Sequence, residues 1–385
     1  MKSEWKKVRL GDVAFITDGD HLPPPKTDYG IPFIYISNIE GFNKINFTDC
    51  SYVPEDYYEK IIDKRKVKEN DILYTVVGSY GIPVLVKSEI KFCFQRHIAL
   101  IRAEKINSEF LVQALDSGAF RLQADKVAIG EAQKTVTLDN LRKMTINLPP
   151  LSDQLKIAET LSVWDSAIEK TEKLISEKEK KLQWIIIHYF EAAEGNKNWI
   201  VSKLSEFLKP GDKHPVENTA NYRKITIKLH KNGIEYINSQ RKMADTRPFY
   251  IRRAGELIIG KQNYFNGSIA LLEKDFDGAI CSNAIMSFSI AKSVNPNFLL
   301  EAISTRKYLR EKSVYANGTG QKELSENAFL NFDVKLPSLK VQNEIMEIVN
   351  LQKSEISLLK KQLEQYKLQK QGLMQKLLTG EWRIK

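Results

Sequence analysis

Apolar positions return at alternating steps of four and three along residues 157–189: Ile157, Leu161, Trp164, Ile168, Thr171, Ile175, Lys178, Leu182, Ile185 and Tyr189. The same rhythm runs through Ile345, Val349, Gln352, Ile356, Leu359, Leu363, Tyr366, Lys370, Leu373 and Leu377, each 188 positions further on. A heptad register held for about five heptads predicts two long helices whose apolar seams pair as a coiled coil. Each helix has the same entrance, Leu148-Pro149-Pro150-Leu151-Ser152-Asp153-Gln154 and Leu336-Pro337-Ser338-Leu339-Lys340-Val341-Gln342. Outside the seam lie further apolar residues, among them Leu155, Leu174, Trp184, Ile348, Leu358 and Leu368. A stripe wider than one seam predicts an additional packing partner.

Upstream of each helix the pattern changes to short alternating runs broken by Gly, Pro and Asn, as expected of strands and turns. Residues 31–36, 71–77 and 83–86 read as strands in the first half, and 224–229, 256–259 and 268–272 in the second. A helix follows in each, over about 108–124 and 296–312, with Asn107 and Asn295 as N-caps and Pro296 suited to a first turn. The Trp-led starts, Trp5 to Val13 and Trp199 to Phe207, correspond at an offset of 194, and Gly130-Glu131-Ala132-Gln133-Lys134 corresponds to Gly318-Thr319-Gly320-Gln321-Lys322. The chain is therefore an α+β protein in which two similar α/β globules are each followed by a long helix. An antiparallel pairing of those helices would give pseudo-two-fold symmetry. The expected divisions are 1–151, first globule; 152–194, first helix and linker; 195–338, second globule; and 339–385, second helix and tail.

Composition narrows the function. The 385 residues carry a net charge of +10, distributed as +1 over 1–151, −3 over 152–194, +8 over 195–338 and +4 over 339–385. A basic globule rich in Tyr, Asn, Gln and Arg suits a polyanion, because neutralising phosphates supplies most non-specific nucleic-acid affinity. The three cysteines are dispersed and without metal-ligand spacing, so they read as reduced thiols. Neither a membrane-length apolar run nor a secretory leader is present, which predicts a cytoplasmic protein without a membrane partner. Phosphate loops, His-Glu-x-x-His pairs and Gly-x-Ser-x-Gly elbows are all missing, and Pro23-Pro24-Pro25 lacks the flanks of a methyltransferase motif. Catalytic and metal-binding residues are therefore expected to be none.

The two Leu-Pro-x-Leu-x-x-Gln entrances, the Trp-led halves and the ending Lys370-Gln371-Gly372-Leu373-Met374-Gln375-Lys376-Leu377-Leu378-Thr379-Gly380-Glu381-Trp382-Arg383 together resemble the specificity subunit (HsdS) of type I restriction-modification systems. The resemblance covers essentially the whole chain. It implies that the globules are target-recognition domains for double-stranded DNA, that the helices are a conserved spacer, and that two methyltransferase subunits and the restriction/translocase subunits are partners. It also implies a non-catalytic chain with no cofactor of its own, S-adenosylmethionine, ATP and magnesium belonging to those partners.

Two separated, different globules would read an asymmetric bipartite target, with half-sites about one helical turn, near 34 Å, apart. Helices of about 38 residues would span about 57 Å. Base reading needs Arg, Lys, Asn or Gln on loops that reach a groove. The candidates are Ser79, Tyr80, Gln95, Arg96, His97, Gln133 and Lys134 in the first globule. In the second they are Lys261, Gln262, Asn263, Tyr264, Asn266, Asn317, Thr319, Gln321 and Lys322. The alternative is a structural scaffold whose globules bind protein and whose coiled coil sets their spacing.

Overall fold

In the computed structural model, residues 5–21, 23–87, 89–191, 199–237, 247–315 and 323–384 are described. They fall into two compact units, Met1–Lys173 with Lys361–Lys385, and Leu174–Lys360. Each unit thus comprises one globule and a portion of both long helices, Leu151–Ile186 and Leu339–Leu378.

The first unit is built on a four-stranded antiparallel sheet in the order Ala14–Asp18, Ile98–Ala103, Ile72–Thr75, Pro83–Leu85. All four residues of Ile72–Thr75 are buried because the sheet is covered on both faces. Ile72 and Tyr74 point into a core with Phe110, Leu111 and Leu161, while Leu73 points into another with Ile34, Phe92 and Phe94. The two-residue period of a strand makes this division inevitable once both faces are covered. The second layer pairs Ile31–Ile34 with Ser51–Val53 and with Cys93–Phe94. A ribbon of Lys6–Arg9 and Thr145–Leu148 leads into the first long helix.

The second unit repeats the plan. Its sheet runs Leu208–Pro210, Ile285–Ile290, Leu257–Gly260, Ile269–Leu271, and Ile200–Lys203 pairs with Asp333–Leu336. Leu257 and Ile259 face one core and Ile258 the other. The covering layer differs, consisting of the hairpin Ile225–Ile227 with Ile234–Tyr236 and the pair Phe249–Ile251 with Ile280–Ser282.

The recurring glutamine of the helix entrance has a structural reason. Gln154 is buried; its amide donates to the Pro149 carbonyl at 2.8 Å and its oxygen accepts from the Asn107 N–H at 2.8 Å. Gln342 does the same with the Pro337 carbonyl at 2.8 Å and the Asn295 N–H at 2.9 Å. Asn107 and Asn295 in turn cap the helices that they begin, accepting from Phe110 and Phe298. One side chain thereby ties the long helix to the cap of its neighbour, satisfying backbone groups that would otherwise be buried without partners.

The helices expected over 108–124 and 296–312 are each broken in two. Ser108–Asp116 gives way to Gly118–Val127 at Ser117, and Pro296–Ala302 to Arg306–Lys312 before Thr305. Ser117 and Thr305 are extended and accept from Phe120 and Tyr308, so a hydroxyl capable of capping a new helix ends the continuation of the old one.

Within the first unit Ile157 and Leu161 share a core with Leu373, Met374 and Leu377, and Trp164 meets Tyr366 edge-on at 5.9 Å. Asp165 contacts Lys370 and Glu172 contacts Lys367, so the segments run antiparallel. In the second unit Ile185 packs with Ile345 and Val349, flanked by Lys178–Glu355 at 2.6 Å and Glu179–Lys360 at 2.7 Å. Ile175 and Ile356 are buried, while Ile168, Leu182, Leu359, Leu363 and Leu373 are half-buried. Every one of these seam positions therefore faces packed surroundings.

Candidate nucleic-acid interface

Three loops of the first unit converge beyond the end of strand Ile72–Thr75. The Val76 N–H donates to the His97 carbonyl at 3.0 Å, and the Val136 N–H to the Val76 carbonyl at 2.8 Å. The Gly78 N–H donates to the Lys134 carbonyl at 2.8 Å. Ile129 and Thr135 exchange backbone bonds across a tight turn in which Gly130 has a φ of 106°. A Cβ there would stand 2.5 Å from the Gln133 carbonyl oxygen, so this turn requires glycine.

Between the loops lies a cleft of 390 Å³ lined by Asp18, Arg96, His97, Gln133 and Thr135, among others. Arg96, Gln133, Lys134 and Ser79 are exposed, and Gln95 and His97 half-buried. Burial, and secondarily the charge of Arg96, push the His97 pKa below its ordinary value, which favours the neutral ring. Asp18 presents its negative charge to Arg65 at 3.2 Å and to His21 at 2.7 Å. The cationic and amide groups of the cleft are thus left facing solvent.

The second unit holds its loops in the same way. The Lys261 N–H donates to the Ala284 carbonyl at 3.0 Å, and the Leu324 N–H to the Lys261 carbonyl at 2.9 Å. Lys261 is half-buried and Gln262 exposed. Asn263 and Asn266 are exposed and bonded to each other at 3.2 Å. Asn317, Thr319, Gln321 and Lys322 lie outside the described residues.

Two expected surface readers are core residues. Tyr80 is buried, bonds Asp125 through its hydroxyl at 2.8 Å and is covered by the Arg121 guanidinium. Tyr264 is fully buried and donates to the Ile303 carbonyl at 2.6 Å. Their loops are polar, yet a tyrosine inserted beneath such a loop gains apolar burial while its hydroxyl keeps a partner. Conversely, Asp18 and Thr135 reach the cleft without any linear signal, because sheet pairing brings the end of Ala14–Asp18 there and isolated bridges to Val77 and Ile129 hold Thr135 beside it.

A larger cavity of 1760 Å³ in the first unit is lined by Phe42, Gln113, Asp116, Asp165 and Lys370, among others. Lys370 is buried, 2.6 Å from Asp165, 3.6 Å from Asp116 and above the Phe42 ring. Burial pushes Asp116 up to about 6, opposed by Lys370 and reinforced by Asp165. In the second unit burial would likewise raise Glu301, but Lys231 at 2.9 Å and Lys353 at 2.6 Å outweigh it and hold the carboxyl below its ordinary value. Among the described residues no group of three or more His, Cys, Asp or Glu is placed to hold a metal ion, and no helix is long and apolar enough to cross a membrane.

Residues 2–179 and 196–368 each match the family model described as the type I restriction modification DNA specificity domain. The type I restriction enzyme MjaVIII specificity subunit of Methanocaldococcus jannaschii is 31% identical over 188 residues, which are 46% of this chain and 44% of that relative. The putative MjaX specificity subunit of the same organism is 24% identical over 416 aligned positions, covering 99% of this chain and 94% of the relative. The crystal structure of a type I restriction-modification S subunit from M. genitalium shares the fold, with a TM-score of 0.62 at 17% identity, over 98% of this chain and 96% of that one.

Proposed function

Since this chain belongs to the family of type I restriction modification DNA specificity domains, we propose that it reads an asymmetric, bipartite double-stranded DNA target and carries two methyltransferase subunits, with restriction/translocase subunits joining them, to that target. The observation that carries the reading is the repeated loop frame: the same backbone bonds hold Val76, His97 and Val136 in one unit and Lys261, Ala284 and Leu324 in the other. A constant frame with changed side chains is what two readers of different half-sites need. Exposed Lys134 supplies phosphate attraction, while the Arg96 guanidinium and amides such as those of Gln133 and Gln262 supply base-edge hydrogen bonds.

Partner recruitment falls to the helices in this account. Off-seam apolar residues are exposed, including Val163 and Leu368 in the first unit and Trp184, Leu351 and Leu358 in the second. Apolar groups on these faces favour a protein partner over solvent. The chain has no reaction of its own in this reading; S-adenosylmethionine, ATP and magnesium act in the partner subunits, and the assembly works in the cytoplasm.

The test is a genome-wide map of methylated bases with this chain and its methyltransferase present together, and again after removal of this chain. A split motif that disappears on removal is expected. Its persistence, with the methyltransferase expressed, would favour the scaffold reading instead.

A further inference from the structure

The two loop frames can be placed in register, and that register points to a reader that no resemblance between the two sequences reveals. Thr75 pairs with Ile98 in the first central sheet and Gly260 with Ile285 in the second. The next residue of each strand, Val76 or Lys261, donates to the carbonyl of His97 or Ala284. One position further back stand Arg96 and Asn283. Each has its backbone fixed, the Arg96 N–H by the Asp20 carbonyl at 3.0 Å and the Asn283 N–H by the Pro248 carbonyl at 3.1 Å.

We infer that Asn283 is a specificity-determining residue that reads a base in the half-site addressed by Leu174–Lys360, from the place that Arg96 holds in the first unit. This rests on the DNA-reading function proposed above. Both side chains are exposed, and among the described residues neither makes a hydrogen bond or ion pair. Asn283 lies in the turn between Ile280–Ser282 and Ile285–Ile290, but its φ is not positive, it caps no helix and its side chain makes no hydrogen bond to the turn, so the turn does not require its carboxamide. A fixed main chain with an uncommitted polar tip loses less freedom on binding than a mobile loop.

The chemistry of the two tips sets different bases. A guanidinium fork matches the O6 and N7 acceptors of guanine, whereas a carboxamide donates to N7 and accepts from the N6 amine of adenine. Arg96 accordingly specifies a guanine in one half-site and Asn283 an adenine in the other.

Methylation motifs mapped for the full chain with its methyltransferase test this, comparing the parent with Asn283→Ala, Asn283→Ser and Arg96→Ala. Asn283→Ala is expected to lower discrimination roughly ten- to hundredfold at one A·T pair of a single half-site. The other half-site should stay unchanged, and Arg96→Ala should relax a G·C pair there. Melting curves that overlay the parent's exclude a folding loss, and Asn283→Ser, which keeps a small polar turn residue, provides the same readout if the alanine variant melts early. An unchanged motif in both folded Asn283 variants, or relaxation at a G·C pair, would overturn the inference while leaving the DNA-reading function in place. Persistence of the parent motif after deletion of the whole chain would overturn both.

Discussion

Position 113 in the first unit and position 301 in the second are 188 residues apart and occupy the same helix of the repeated plan, yet one is a neutral amide and the other a carboxylate. Gln113 donates to Asp165 at 2.5 Å, and the positive charge comes from Lys370. At the place corresponding to Asp165 the second unit has Lys353, which binds Glu301. The sign of the long-helix partner has reversed together with the residue that it meets. The scaffold is therefore kept by backbone pairing and by the glutamine clamps, while buried charges change as matched sets. Binding loops can differ on the same terms.

The largest effect should come from breaking one such set. Glu301→Ala leaves Lys231 and Lys353 facing a buried site without their carboxylate and should cost roughly 3 kcal/mol, the lower end for a broken buried pair because both lysines reach solvent. Gln113→Ala should cost less, since Asp165 keeps Lys370. Urea unfolding of the two variants would check the order, and equal losses would contradict the matched-set account.

The glutamine clamps should behave alike where the charges do not. Gln154→Ala and Gln342→Ala each strand a buried N–H and carbonyl and should each lose about 2 kcal/mol, measured in the same way.

Next in size is a difference in pH response. Asp116, raised from 3.8 to about 6, keeps its proton in the folded chain where the unfolded chain has released it. Its contribution is therefore lost as pH rises through that window, and Asp116→Asn should remove the loss, gaining about 1 kcal/mol above pH 6 after allowance for its partial exposure. Glu301 has the opposite sign: its lowered pKa stabilises above the ordinary carboxylate range and that stability fades as pH falls through the lowered value. Thermal melts of Asp116→Asn and Glu301→Gln between about pH 2 and about pH 8 would show opposed slopes relative to the parent, that of Glu301→Gln at the acid end.

Gly130→Ala should cost about 1–2 kcal/mol of strain, confined to the turn that presents Gln133 and Lys134. DNA affinity of the assembled complex should fall more than the melting temperature does.

The long helices are legible in the sequence because the heptad register persists long enough to outweigh Thr171, Lys178, Gln352 and Lys370 within it. Gln154 and Gln342 are visible there only as a repeat; their clamp appears once the strand exit, the Asn cap and the helix entrance come together. Tyr80 and Tyr264 mislead because polar neighbours say nothing about which side of a loop is covered. Asn283 escapes because Ser282-Asn283-Ala284 shares no residue with Gln95-Arg96-His97, and the strand-to-strand loop before it, 261–268, is one residue longer than 76–82. Only the hydrogen-bond register equates them.

The most direct measurement is the methylation motif of a chimera in which residues 208–324 are replaced by a second copy of residues 14–136, joined where Leu208 corresponds to Ala14 and Leu324 to Val136. If the frame is common and its loops determine the bases, the chimera methylates a target built from two copies of the first half-site. Retention of the parent's asymmetric motif by the folded chimera would contradict the account.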